Sequence, residues 1–340
     1  MNNVTVKKGF KYLLAGLGTS FILSTTATAD TVTIGYQGMM NPWKSVIDSD
    51  ALEKATGLEV EWRRFDSGAK VITAMASGDI DIASAGSSPI AAAISRGVDI
   101  ELVWILENIN NAEALVVRDG TGILAPQDLK GKTLGVPFVS TTHFHTLFAL
   151  EQFGLDESDL KVLNMQPNAI SAAWTRGDID AAFIWDPVLS ELKQDGKVLL
   201  SSGDLSRWGK ATFDGVVASK EFAEENPEVV TQVIKLMSDA DEAYRSNKDS
   251  LSADSPMVAS IAKMTGGNAE NVLDVLALYE FVPLEEQLTC AWLECGEEGG
   301  AARALRFTSE FLEDQGKIPA LKDDYSVFVN PSYARKALEL

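Results

Sequence analysis

The sequence predicts an α/β fold of two similar lobes facing each other across a cleft. Three observations predict it. The chain has 340 residues, more than one typical domain, and 46% of them are apolar, enough for sizeable cores. Short β-branched runs alternate with helical segments, the order that builds sheets covered by helices. That order occurs twice, marked by Gly78-Asp79-Ile80-Asp81 and Gly177-Asp178-Ile179-Asp180, 99 positions apart.

In the first copy, Thr31–Tyr36 reads as a strand, and a helical segment over 42–56 ends at Gly57, a good left-handed C-cap. Leu58–Trp62 alternates as a second strand. A helix over 67–77 stops at Gly78, and Asp79–Ala83 enters a third strand. In the second copy, Thr133–Val136 is a strand, a helix over 141–153 closes at Gly154, and Leu160–Leu163 is a strand. A helix over 169–176 then stops at Gly177 before Asp178–Phe183. Such alternation implies parallel sheets, whose ligands sit beyond the carboxyl ends of the strands. Glu113–Arg118 and Thr212–Ala218 are the expected crossing strands. Lobe 1 is then 30–115 with 216–340, and lobe 2 is 116–215. The last third reads as helical, over 228–244, 269–279 and 299–315.

The N-terminus has the order of a secretory signal peptide over 1–29. Lys7, Lys8 and Lys11 precede an apolar stretch, Tyr12–Leu23, and Ala27-Thr28-Ala29 follows, with cleavage expected after Ala29. The apolar run is short for a bilayer span of ~20 residues. The expected mature product is soluble and exported. Lys and Arg number 29 against 49 Asp and Glu, a net charge of −20, which argues against a nucleic-acid partner.

Two loops present helix starts to the expected cleft. Gly86-Ser87-Ser88-Pro89 has serine ahead of proline, and Ser140-Thr141-Thr142-His143 opens the helix after Val136. Free N–H groups and the helix dipole make each start an anion site, and the hydroxyls add donors. The same residues equally serve as ordinary caps. Neither loop holds Lys or Arg, so a monovalent anion suits it better than a phosphate dianion. Acids supply the opposite sign. Glu113 and Asp214 lie on the crossing strands, and Asp186 follows Trp185 at the end of the second Gly-Asp-Ile-Asp strand. Carboxylates beside Trp185 suit a small ammonium by ion pairing and cation–π attraction. The alternative is that Glu113 and Asp214 are solvated acids and Asp186 a cap before Pro187. Together the loops and acids suggest a zwitterion.

Signals for catalysis are thin. His143 and His145 lack a carboxylate spacing that would complete a metal site, so no metal or other cofactor is expected. There is no Gly-x-Ser-x-Gly elbow and no P-loop. Cys290 and Cys295 have the spacing to close a small disulfide after export, and C-x4-C is not the C-x-x-C redox spacing.

Several runs resemble the family of taurine, sulfonate and nitrate substrate-binding proteins of ABC transporters. They are Phe65-Asp66-Ser67-Gly68-Ala69, Gly86-Ser87-Ser88-Pro89, Glu113-Ala114-Leu115-Val116-Val117, Val136–His143, Ala172–Asp180 and Gln315–Ala320. The similarity covers nearly all of 32–329. It implies a periplasmic-binding-protein type II fold, a periplasmic location, and delivery to a membrane permease with its cytoplasmic ATPase. It implies a monomer that captures taurine (2-aminoethanesulfonate) or a close zwitterionic sulfonate. Ser87, Ser88, Ser140, Thr141, Thr142 and His143 would face the sulfonate. Glu113, Asp214 and Asp186 would face the ammonium, with Trp185 and Gln37 beside them. Alkanesulfonate, nitrate or thiamine-precursor binding is the alternative, and an enzyme acting on a pyrimidine precursor is the rival of another class.

Overall fold

The structure is a computed structural model that describes residues 31–340. The expected signal peptide and its cleavage after Ala29 lie outside the described residues. The chain begins β1 (Thr31–Gln37), α1 (Lys44–Asp48), α2 (Ala51–Thr56), β2 (Glu59–Phe65), α3 (Gly68–Ala76), β3 (Ile82–Gly86), α4 (Ser87–Ser95) and β4 (Ile100–Asn108). It continues β5 (Glu113–Arg118), β6 (Thr133–Val136), α5 (Thr141–Gln152), β7 (Lys161–Asn164), α6 (Pro167–Arg176), β8 (Ala181–Trp185), α7 (Val188–Leu192) and β9 (Gly196–Ser201). Next come α8 (Ser202–Arg207), β10 (Phe213–Ser219), α9 (Lys220–Glu225), α10 (Pro227–Asn247), α11 (Pro256–Thr265) and α12 (Ala269–Leu276). The chain closes with α13 (Leu284–Gln287), α14 (Gly300–Asp314) and α15 (Ser332–Leu338). No helix among the described residues is long and apolar enough to cross a membrane.

The strands form two five-stranded sheets, β2-β1-β3-β10-β4 and β7-β6-β8-β5-β9. The duplication has a physical basis. Gly78 and Gly177 both sit at φ 80°, where a Cβ is disfavoured. Asp81 then accepts the Thr33 N–H through Oδ2 at 2.8 Å, and Asp180 accepts the Thr133 N–H in the same way at 2.8 Å. Each Gly-Asp-Ile-Asp turn thus ties the end of a helix to the first strand of its copy of the repeat, β1 or β6.

Three expectations change. The sheets are mixed rather than parallel: β10 runs antiparallel to β3 and β4, and β5 antiparallel to β8 and β9. Strand direction depends on where the chain re-enters a sheet, which local sequence does not encode. Secondly, the strands do not cross between lobes. β5 lies wholly in the second sheet and β10 wholly in the first, so short segments at 109–112 and 208–212 make the crossings. The two crossings touch, because the Ile109 N–H donates to the Thr212 carbonyl at 3.1 Å. Thirdly, the last third packs mainly on lobe 1, as expected, but α14 also reaches lobe 2. α14 packs on α4, but its Phe311 meets Phe144 of α5 edge-on at 5.1 Å, and Leu312 and Ile318 join the second lobe's core. The first helical segment also breaks in two at Asp50, which has φ 50°. Cys290 and Cys295 are joined as a disulfide.

β4 is the edge of the first sheet, and its exposed polar groups need cover. Buried Gln287 provides it like a short extra strand. Its Oε1 accepts the Ile105 N–H at 2.8 Å, and its Nε2 donates to the Ile105 carbonyl at 2.7 Å. Removing that side chain leaves two buried backbone groups unpaired, at about 1–3 kcal/mol. Gln287→Ala should therefore lower the unfolding free energy in denaturant titration by about that amount; an unchanged midpoint contradicts the edge-covering role.

Candidate functional site

Where the sheets face each other, the carboxyl ends of parallel strands meet the starts of the antiparallel strands that return across the cleft. Gln37 ends β1, Gly86 ends β3 and Trp185 ends β8. Glu113 begins β5, directly opposite Trp185 in register, and Asp214 lies near the start of β10, opposite Gly86. All six line one narrow cavity, with Ser140 and Thr141 on its second-lobe side. Its volume is about 10 Å³, the space of about one water, so the groups that line it stand close together. Trp185 also lines a larger cleft of about 450 Å³ outside it, so the indole stands between the two spaces.

Three helices aim their first turns at this cavity. α4 leaves β3 at Gly86, α5 begins at the Ser140 N-cap, and α3 begins at Gly68, a lining residue absent from the sequence expectations. First-turn N–H groups and helix dipoles favour an anion there. Among the described residues, the buried hydroxyls of Ser67, Ser87 and Ser88 have no hydrogen-bond partner. Unpaired polar atoms of this kind are costly, so they point to a missing acceptor or donor.

The opposite pole is acidic. Glu113 accepts from the Thr141 hydroxyl through Oε1 at 2.5 Å and from the Ser202 hydroxyl through Oε2 at 3.2 Å. Burial, and then the charge of Asp214, push its pKa up to about 8 against these two hydrogen bonds. Burial raises Asp214 to about 7, opposed by a hydrogen bond with Glu107 and by the charge of Lys44. Glu107 stands opposite Asp214 in β4 and is pushed well above the carboxylate range, chiefly by burial. Beneath it, the Asn41 amide donates to Glu107 Oε1 at 3.1 Å, and Lys44 Nζ donates to Asn41 Oδ1 at 2.9 Å. Lys44 is fully buried, and its Nζ lies 3.5 Å from the centre of the Trp43 ring. Burial thus disfavours the ionised form of these acids, and a cation placed beside them would favour it.

Of the expected residues, Gln37, Glu113, Ser140, Thr141, Trp185 and Asp214 line the cavity, and Ser87 and Ser88 lie between the lining residues Gly86 and Pro89. Ser87 and Ser88 do not line it themselves, and neither do Thr142, His143 and Asp186. Thr142 is fully buried, its hydroxyl 2.7 Å from Ser140 Oγ. His143 stacks on Phe138 at 4.3 Å, and its Nδ1 accepts the Val139 N–H at 3.3 Å. A helix turns about 100° per residue, so when Thr141 faces the cavity the next two side chains turn away. Asp186 accepts the Ser190 N–H at 3.0 Å and the Ser190 hydroxyl, which ties it to the first turn of α7. Met39, Gly68 and Tyr279 line the cavity without having been singled out in the sequence. The Phe65–Ala69 run held a signal for Gly68; Tyr279 lies far along the chain with none.

Residues 30–253 match the model of a family described as the substrate-binding domain of the ABC-type glycine betaine transport system. The chain belongs to this family of ABC-transporter substrate-binding domains. It is 38% identical, over 95% of its length and 98% of the relative, to the taurine-binding periplasmic protein of Escherichia coli K12. It is 28% identical to a putative aliphatic sulfonates-binding protein of Bacillus subtilis, covering 75% of this chain and 80% of that one. Its fold is that of the alkanesulfonate-binding protein SsuA from Xanthomonas axonopodis bound to MOPS. There the TM-score is 0.72 at 23% identity, covering 88% of this chain and 96% of that one.

The two lobes approach each other tightly at Gly86. A Cβ on Gly86 would lie 2.7 Å from Thr141 Cγ2 across the cleft and 3.2 Å from Asp214 Oδ1. Gly86→Ala should hold the lobes apart and weaken ligand binding at least ten-fold, about 1.4 kcal/mol, with little change in the ligand-free thermal midpoint. Calorimetry showing undiminished affinity would remove the closure role of this contact.

Proposed function

We propose that this protein is the periplasmic receptor of an ABC importer and captures taurine or a close zwitterionic sulfonate. The observation that carries the reading is that groups suited to both signs of charge line one small cavity. The first turns of α3, α4 and α5 meet there with the buried acids Glu113 and Asp214, Glu113 beside the start of α5 and Asp214 beside the start of α4. A sulfonate is monovalent and accepts from neutral donors. An ammonium supplies the counter-charge that the buried acids lack. The relatives' names support the same ligand class.

The receptor binds and does no chemistry, and it acts as a monomer that hands its ligand to a membrane permease driven by a cytoplasmic ATPase. Export with cleavage after Ala29 places it in the periplasm. Closure is a population shift about the adjoining crossings at 109–112 and 208–212.

Calorimetry with taurine and with ethanesulfonate, which lacks the nitrogen, tests the poles separately. Asp214→Asn should weaken taurine at least ten-fold, about 1.4 kcal/mol, and ethanesulfonate far less. The sign of the pH effect follows from Asp214, which burial raises to about 7. A cation binds the ionised form, so taurine affinity should rise as pH climbs through that value while ethanesulfonate affinity stays level or falls. Equal responses of the two ligands, to the mutation or to pH, would show the ammonium assignment to be wrong.

A further inference from the structure

The cavity explains one side of Glu113 but not what lies behind it. Ser202 opens α8 on the approach to the second crossing. Its Oγ is 3.2 Å from Glu113 Oε2 and 2.7 Å from His145 Nδ1. His145 Nε2 is 2.7 Å from the main-chain oxygen of Lys210, which lies within that crossing. His145 and Ser202 are both fully buried. The four groups form one hydrogen-bonded line from the ligand cavity to the segment that joins the lobes.

Proton accounting along this line permits only two complete arrangements. A carbonyl only accepts, so the Lys210 oxygen requires a hydrogen on His145 Nε2. In a neutral ring Nδ1 then accepts, and it takes the single hydroxyl hydrogen of Ser202. Glu113 must in turn donate to Ser202, which requires a protonated Oε2. If Glu113 is ionised instead, its Oε2 takes the Ser202 hydrogen. Nδ1 must then donate to Ser202, and that requires an imidazolium. The two arrangements contain the same number of protons. They differ by one proton moved from Glu113 to His145: the Glu113 O–H bond breaks, Ser202 Oγ takes that hydrogen, and its own hydrogen passes to Nδ1.

We propose that Glu113, Ser202 and His145 form a proton relay, in which a ligand cation arriving at Glu113 drives one proton to His145 beside the inter-lobe crossing. Only the trigger rests on the ligand reading above. The surroundings favour the neutral ring in the empty protein. His145 is packed between Phe144 at 5.4 Å and Phe183 at 6.1 Å, and burial lowers its pKa to about 4. Glu113 is faced by Asp214, Thr141 and Ser202. The Lys210 ammonium sits over the Phe148 and Phe311 rings, 5.9 and 5.7 Å from their centres. An ammonium at the cavity wall reverses the preference by stabilising the Glu113 carboxylate, which then pairs through Ser202 with the imidazolium. His145 is a positioning residue: it acts on the ligand through Glu113 and on the crossing through Lys210.

The chain has two histidines, so ring-labelled histidine gives two NMR signals, with His143 as internal control. In the ligand-free protein His145 should be the neutral Nε2–H tautomer. Saturation with taurine at neutral pH should convert it to imidazolium and leave His143 unchanged. Without ligand, raising the pH through the Glu113 transition should shift the His145 ring as Ser202 turns to the carboxylate. Glu113→Gln, a permanent amide donor to Ser202, should abolish both responses, and Ser202→Ala should uncouple them. A His145 that stays neutral in the taurine-saturated protein overturns the relay, as does one indifferent to the pH titration. If taurine fails to bind while the pH response survives, the ligand reading falls and the relay stands.

Discussion

The structure turns on the cost of burying several carboxyl groups beside one amine. Glu107, Glu113 and Asp214 crowd the inner end of the cleft, and the buried amine near them, Lys44, offsets Glu107 and Asp214 only in part, because burial disfavours its own charged form. Isolated ionised carboxylates there would cost several kcal/mol each, so burial favours their protonated forms. On the proposed reading, one small molecule carrying both signs would satisfy the helix starts with its anionic end and the acids with its cationic end.

The fold builds this arrangement with little machinery. A Gly-Asp-Ile-Asp turn anchors each sheet, so the parallel strands end at the cleft and their following helices begin there. One antiparallel strand inserted in each sheet brings an acid to the same place from the other direction: Glu113 on β5 and Asp214 on β10. The acids sit one or two residues beyond the inter-lobe crossings, so the proposed ligand-binding acids adjoin the segments that join the lobes. α14 adds a third link by packing on α4 and on the rings of α5, outside the cleft.

Much of this was legible in the sequence, for physical reasons. The repeated turn could be read because a left-handed glycine and a strand-capping aspartate leave a local signature. Gln37, Thr141, Glu113 and Asp214 could be read because strand ends and helix starts are punctuated. β4 was not, because Ile100–Leu106 is buried on both faces and shows no alternation. The antiparallel insertions were hidden for want of any local signal of direction. The neighbouring histidines show the limit most plainly. His143 drew attention as part of the helix-start motif, yet it stacks outward on Phe138, while His145, two residues on, reaches Ser202 behind the acid. Helical phase decides between them, and it depends on how α5 docks. Tyr279 and Glu107 belong to the same class, since distant segments bring them to the site.

A crystal structure of the mature protein with taurine tests the central claim most directly, because it shows which end of the molecule meets which wall. The account requires the sulfonate oxygens to accept from the first turns of α3, α4 and α5, with the nitrogen within hydrogen-bond reach of Glu113 and Asp214. A reversed molecule, or a nitrogen distant from both carboxyl groups, would contradict it.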